Sequence, residues 1–210
     1  MSDDPGSEGA NASAETVEWP VPLEGVTESV VTTLGPNGRW NAAALGLFGD
    51  DDDDDDDRGP VTATTWGNTR TRRNFHRQGE GYVQFTVDPI AFVDAALSIH
   101  ELEEPVLDSA NAWVRVRVEQ VDSGTEEETG WEKWELHPLE SEIVSETVPT
   151  IDRGFGAVIE ATVAVSRLGV EGYDEGELRE RLGYCASVVD RAGSKRERDA
   201  LERVREYSEW

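Results

Sequence analysis

The sequence predicts an α+β fold in which a small antiparallel β-barrel is followed by a C-terminal helical subdomain. Three observations carry this reading. Up to about residue 148, short runs of β-branched and aromatic residues alternate with turn signals. Their spacing suits hairpins closing into a barrel, not alternating βαβ units. Beyond Pro149 the character changes, and polar residues Arg153, Glu160 and Arg167 recur every seven positions.

The elements follow in order. Residues 1–20, rich in Ser, Gly, Ala and acids with hardly any large apolar side chain, are expected to be a disordered acidic leader. The barrel is expected over 21–148. Glu28–Thr33 (ESVVTT) reads as a strand, Gly35-Pro-Asn-Gly as a turn and Arg39–Phe48 as the returning strand of a hairpin. Asp50–Asp57 is eight consecutive aspartates. Calcium loops alternate carboxylates with carbonyls around a sharp turn, so this run reads as an acidic loop insertion and no metal site. Val61–Trp66 is a third strand, and Thr71–Arg77 a short helix with Thr71 as its N-cap. Tyr82–Val87 is another alternating strand, Ile90–Leu97 a short helix, and Trp113–Val121 a strand placing Val114, Val116 and Val118 on one face. Asp122–Gly130 is expected as an acidic loop, and Trp131–Val144 as one strand or two joined near His137-Pro. Residues 149–210 form the helical subdomain. Arg153–Leu168 fits a helix better than its competing strand alternation, and Glu175–Ala192 and Lys195–Tyr207 are clearer helices, the last laced with Arg/Glu pairs.

Composition narrows the function. The chain has 210 residues, 45 acids against 19 bases, and a net charge of −26. Only Lys133 and Lys195 are lysines. A carboxylate-covered chain almost without lysine is similar to the proteins of salt-accumulating halophiles, where molar salt screens surface repulsion. Such a charge excludes a nucleic-acid backbone as partner. No hydrophobic run is long enough to span a membrane, and the first twenty residues carry no basic segment of a signal peptide. The single cysteine, Cys185, suits a reducing cytoplasm and reads as a buried small apolar residue.

Against this acidity, Ser29–Gly49 and Arg58–Gly79 contain no Asp or Glu. Within the second window Arg70, Arg72, Arg73 and Arg77 accompany Thr69, Thr71 and Asn74. Guanidinium forks, short hydroxyls and a helix N-terminus are the donors that phosphate oxygens accept from, so this is a candidate phosphate-binding segment. The competing reading is an arginine-rich face paired with the acidic surface. His76, His100 and His137 stand in no metal or triad spacing, and His76 alone is near enough to assist a phosphate.

The order VVTT, turn, RWNAAALG, then NTRTRRN and QGEGYVQFTVDP resembles the FMN-binding split-barrel proteins. Within them the chain looks closest to an archaeal family of unknown function related to the flavin-reductase-like branch. The family's Asn-x-Ala-Pro, Thr-x-x-Asn and Gly-Glu-aromatic-Val correspond to Asn41-Ala-Ala, Thr71-Arg-Arg-Asn74 and Gly79-Glu-Gly-Tyr-Val here. The resemblance covers roughly Val26 to Tyr207, with the leader and the aspartate run as additions. It implies a homodimer with FMN at the subunit interface. The phosphate would be held by Thr69, Thr71, Asn74 and foremost Arg70 among the arginines. The isoalloxazine edge would meet the backbone of Asn41, Ala42 and Ala43. Ala44 replaces the family's usual proline.

Two classes of function follow. One is an FMN-dependent oxidoreductase of flavin-reductase type, with a nicotinamide nucleotide as a candidate electron donor and the redox chemistry supplied by the flavin. The other is a non-enzymatic flavin carrier or sensor. A split barrel binding another phosphorylated cofactor, such as pyridoxal phosphate or a deazaflavin, is a third reading. Independently of these, the charge density predicts that the melting temperature rises between dilute buffer and molar KCl; an unchanged melting curve refutes it.

Overall fold

The computed structural model describes residues 17–23, 25–49, 60–126, 128–208 and 210; most of the acidic leader and the whole aspartate run lie outside these. Seven strands and five helices follow in the order β1 (Val26–Leu34), β2 (Trp40–Phe48), β3 (Val61–Trp66), α1 (Arg70–Gln78), β4 (Glu80–Thr86), α2 (Pro89–Leu97), β5 (His100–Leu102), β6 (Ala110–Glu126), β7 (Thr129–Ile143), α3 (Arg153–Ser166), α4 (Glu175–Ala192) and α5 (Lys195–Glu206). The sheet runs β1-β4-β6-β7-β3-β2-β5, and β1 also pairs with β2. Six antiparallel strands therefore close on themselves, and β5 extends the edge of β2. This is the α+β barrel-and-helices class that the alternation predicts.

Inside the barrel, Val31, Leu45, Leu47, Ala63, Val83, Val114, Val116 and Leu136 interdigitate. They are the inward members of alternating strands, and each fully buried valine or leucine contributes roughly 1.5–3 kcal/mol of transfer free energy. Helix α1 inserts Phe75, 1% exposed, into this core against the edge of the Trp134 ring. A second core joins α2 to α3, α4 and α5 through Val93, Val158, Ala161, Leu182, Val189 and Leu201. Between them Val30 and Ala42 of the sheet meet Phe92 and Ala95 of α2, so α2 is buried on both sides. Its exposed end is tied to α5: Tyr207 Oη donates to Asp94 at 2.9 Å, and Arg196 pairs with Asp88 at 3.2 Å.

The structure departs from the sequence reading in two places. Thr69, not Thr71, caps α1: its side chain accepts from the Arg72 amide, and Thr71 is buried two residues further in. Asp122–Gly130 is not a loop, because β6 and β7 stay paired to Glu126↔Thr129. Gly124 faces Trp131 in that register, and the indole lies where a Cβ at 124 would be, at 2.7 Å; the glycine admits the ring and the ladder continues. Of the two readings for Trp131–Val144, the single strand is the one formed: β7 passes through Pro138, with a register shift beside it at Arg115/Val116 that accommodates the missing donor.

One buried carboxylate fixes α1 to the barrel. Glu132 of β7, 5% exposed, accepts from Arg72 Nη2 at 2.5 Å and meets His76 Nε2 at 2.8 Å. Arg72 also donates to Gly67 O at 3.2 Å, fastening the turn that enters the helix. On the opposite side Asn74 donates to Thr33 Oγ1 at 2.9 Å. We expect Glu132→Ala to destabilise the fold by about 2 kcal/mol, since it removes two charged hydrogen bonds from a buried acceptor; urea denaturation measures this, and a change below about 0.5 kcal/mol would place the network outside the fold's main supports.

Candidate functional site

Both acid-free windows converge on the N-terminus of α1. Chain direction reverses after Trp66 through Gly67, which has φ +67° and donates its amide to Gly130 O at 2.7 Å. The helix that follows starts directly beside β2, and the amides of its first turn have no intrahelical acceptor. Thr69 satisfies one of them; the macrodipole adds partial positive charge at the same end.

A cavity of about 450 Å³ opens there, within the size range of small-ligand sites. One wall is the backbone and small side chains of Ala43, Ala44 and Leu45, and another is Thr64–Trp66 of β3. Thr69 and Thr71 close the end at α1, and Phe92 with Ala95 of α2 and Val163 of α3 close the far side. Thr65 is engaged within the fold, accepting from Trp134 Nε1 at 2.9 Å. By contrast, Thr71 Oγ1 faces the cavity without a hydrogen-bond partner among the described residues. A mostly apolar slot with free donors at one end is the donor arrangement a planar ring carrying a phosphate tail requires.

Among the described residues, Glu28 is the single ionisable side chain on this cavity's wall. Burial, and then the nearby Glu160 carboxylate, push its carboxyl above the ordinary 4.5. Glu160 itself is paired with Arg181 of α4. Sequence reasoning passed over Glu28, because the strand ESVVTT shows it only as an outward-facing polar residue.

A separate cavity of about 300 Å³ lies across α1, against the Gly35–Asn37 turn. Arg70, Asn74 and Asn41 line this one, together with Arg73, Arg77 and Glu101. Six of the seven residues singled out from the sequence are thus neighbours that divide between two cavities. Ala43, Thr69 and Thr71 face the first, whereas Asn41, Arg70 and Asn74 face the second. Ala42, 2% exposed, packs into the core beside Phe92.

The arginine island is divided too. Arg72 is spent on Glu132, and Arg70 pairs with Glu101 at 2.6 Å. Asn74 has both ends of its amide engaged, donating to Thr33 and accepting from Arg77 at 2.5 Å. His76 turns to the Glu132 side, away from both cavities, with its ring against Trp134 at 5.0 Å. Among the described residues no group of three or more His, Cys, Asp or Glu is arranged to hold a metal ion. Cys185 is 3% exposed, and its thiol is pushed up by burial and then by Glu160, which disfavours the reactive thiolate.

The whole architecture has solved counterparts. An FMN-bound protein from Methanosarcina mazei superposes with a TM-score of 0.71 at 23% identity, over 88% of this chain and 95% of that one. More distant are the flavin reductase of styrene monooxygenase from Pseudomonas putida S12, with TM-score 0.41, 10% identity, and 60% and 93% of the two chains covered, and nitrilotriacetate monooxygenase component B from Bacillus cereus, with 0.43, 14%, and 61% and 76%. Residues 27–145, the barrel, match the N-terminal domain of the protein of unknown function DUF447, and residues 152–206, the helices, match the rest of that family's pattern; the chain belongs to the DUF447 family.

Proposed function

We propose that this chain binds FMN in the 450 Å³ cavity and uses it as an oxidoreductase of flavin-reductase type. The observation that carries the reading is the placing of an apolar slot, Ala43–Leu45 against Phe92 and Ala95, directly beside the free Thr71 hydroxyl and the α1 N-terminus. The Methanosarcina mazei relative of the same fold, described as FMN-bound, supports it.

When bound, FMN would supply the electron-pair and single-electron transfer that no protein side chain offers. What the chain contributes is positioning. Thr69 and Thr71 hydroxyls and the first α1 amides hold the phosphate, with the helix dipole favouring its charge. Alanines at 43 and 44 leave the β2 backbone open to close approach by the ring edge. The walls from α2 and α3 shield the slot from water. Glu28, whose carboxyl is raised by burial and then by Glu160, is the group on this wall that could exchange a proton with the slot. Arg70 and Asn74, though beside the same helix turn, hold α1 and the neighbouring cavity rather than the flavin.

A nicotinamide nucleotide is our proposed electron donor. The scarcity of ionisable groups on the cavity wall favours a second reading, a flavin carrier without turnover. Reduction of bound flavin by NADH or NADPH with turnover on an added acceptor supports the enzyme; flavin that binds yet is not reduced supports the carrier. We further propose a homodimer, on the strength of the exposed apolar group Phe48, Trp66 and Val121 around an open hollow of about 770 Å³; analytical ultracentrifugation reads this directly. A salt-rich archaeal cytoplasm accords with the acidity and the single cysteine.

Two outcomes are expected at the cavity. Thr71→Val, which preserves shape, should weaken FMN binding by about tenfold or more through loss of a charged hydrogen bond; unchanged affinity in a flavin-fluorescence titration would remove Thr71 from the site. Because the Glu28 carboxyl is raised in the folded state, ionising it opposes folding: the favourable balance holds at low pH and is lost as pH rises through the folded value. Glu28→Gln should therefore melt higher than wild type near pH 8 and match it near pH 4, and equal melting temperatures at both pH values would mean that Glu28 is solvated.

A further inference from the structure

The second cavity makes no use of the flavin reading, and its chemistry is distinct. Arg70, Arg73 and Arg77 stand at i, i+3 and i+7 and so share one face of α1. Opposite them lie Asn41 and the Gly35–Asn37 turn, both from an acid-free part of the chain. Among the described residues Glu101 is the one acid on the wall, paired with Arg70 at 2.6 Å and accepting from Asn37 Nδ2 at 3.2 Å. Neither Arg73 nor Arg77 has a carboxylate within 4.0 Å among the described residues. Their partners are neutral oxygens: Asn68 O at 2.6 Å for Arg73, and Leu34 O at 2.6 Å with Asn74 Oδ1 for Arg77.

Three guanidinium charges thus meet one carboxylate, a local excess of positive charge inside a chain of −26. If these arginines only quenched surface repulsion, acids would be expected around them, as Glu175 accompanies Arg179 and Glu140 accompanies Arg115. Here the neighbouring wall is amide and backbone. The forks of Arg73 and Arg77 engage neutral carbonyls through a single amino group and keep other N–H donors for a planar or tetrahedral oxyanion. About 300 Å³ is room for a phosphate and the group next to it, too little for a whole dinucleotide.

We propose that this cavity is a second anion site, apart from the one beside Thr71, that takes the phosphate monoester group of a small phosphorylated molecule. A dianion matches the excess of the arginines over Glu101. Asn41 at the base offers an amide to the same oxygens or to the ester substituent. The two sites share α1, one using its capped N-terminus and the other its arginine face.

The full-length protein, saturated with FMN where it takes FMN up, is titrated calorimetrically with inorganic phosphate, adenosine 5′-monophosphate and unphosphorylated adenosine. Wild type should bind at least one of the two phosphates and not adenosine; tighter binding of the nucleotide than of phosphate identifies the natural group as an ester, and equal binding identifies free phosphate. Arg73→Gln with Arg77→Gln should weaken that binding by about tenfold or more while flavin content stays at the wild-type level. Should the double variant unfold, Arg73→Gln alone serves, since its bonds are confined to Asn68. Three results overturn the proposal: no phosphate binding at millimolar concentration, binding unchanged in a folded variant, or loss of FMN in step with loss of phosphate, which would make this cavity the flavin's own phosphate seat. A chain that takes up no FMN yet binds phosphate through these arginines leaves this site standing and removes the flavin reading alone.

Discussion

The seating of α1 on the barrel is the constraint on which the rest depends. Nine residues, RTRRNFHRQ, would hold no helix in isolation, because nucleation costs more than two turns return. The helix exists because Phe75 enters the barrel core, Glu132 clasps Arg72 and His76, and Asn74 grips Thr33. Every one of these contacts is with a strand far away in sequence. Once they form, the capped end at Thr69 and the arginine face have no freedom of orientation, and both cavities follow.

Glu132 is a costly device for this purpose. A carboxylate 5% exposed loses most of its hydration, and its attraction to Arg72 and His76 offsets that loss only because both reach it with good geometry. What the ion cluster supplies beyond stability is direction. Apolar packing through Phe75 alone would tolerate rotation of a short helix, whereas one acceptor shared by residues 72 and 76 fixes its rotation about its own axis. Residues 71 and 69 then face one cavity and 70, 73 and 77 the other.

The barrel was legible because its strands are half-buried and alternate, and because turns such as Gly35-Pro-Asn-Gly announce themselves locally. The helices after Pro149 were legible through their period, and the helix won over the strand alternation of Ala157–Val165 when its apolar stripe met α4. Other features depended on partners no local rule can see. Two threonines two residues apart are equal candidates for a cap, and the tight turn at Gly67 decided for Thr69. The β6–β7 extension rests on a glycine lying under a tryptophan from the facing strand. Charge patterning picked out residues that the fold gathers around α1 but ran the two cavities together, since spacing along a helix of uncertain rotation cannot say which arginine faces which wall. Glu132 escaped notice because a single glutamate in an acid-rich chain gains meaning only from its burial, and Glu28 because its setting depends on Glu160 of a distant helix.

The distribution of charge carries the last step. In a protein that solvates itself with carboxylates, leaving them out of a segment is the unusual act, and here they are left out of the β1–β2 hairpin from Ser29 onward and of the stretch from β3 through α1. Those two segments supply most of the wall of both cavities, while the acids that do enter, Glu28 and Glu101, come in singly from outside the windows. A repulsive −26 background raises the cost of bringing any anion to this surface, so an anion site in it must be screened by salt and locally reversed in sign. The reversal of sign is present at α1, where the arginines project beside an uncharged wall and the helix end adds its dipole. The acidity of the chain and the phosphate chemistry proposed for it are therefore compatible because they are separated along the sequence, and the fold gathers the uncharged segments around one short helix.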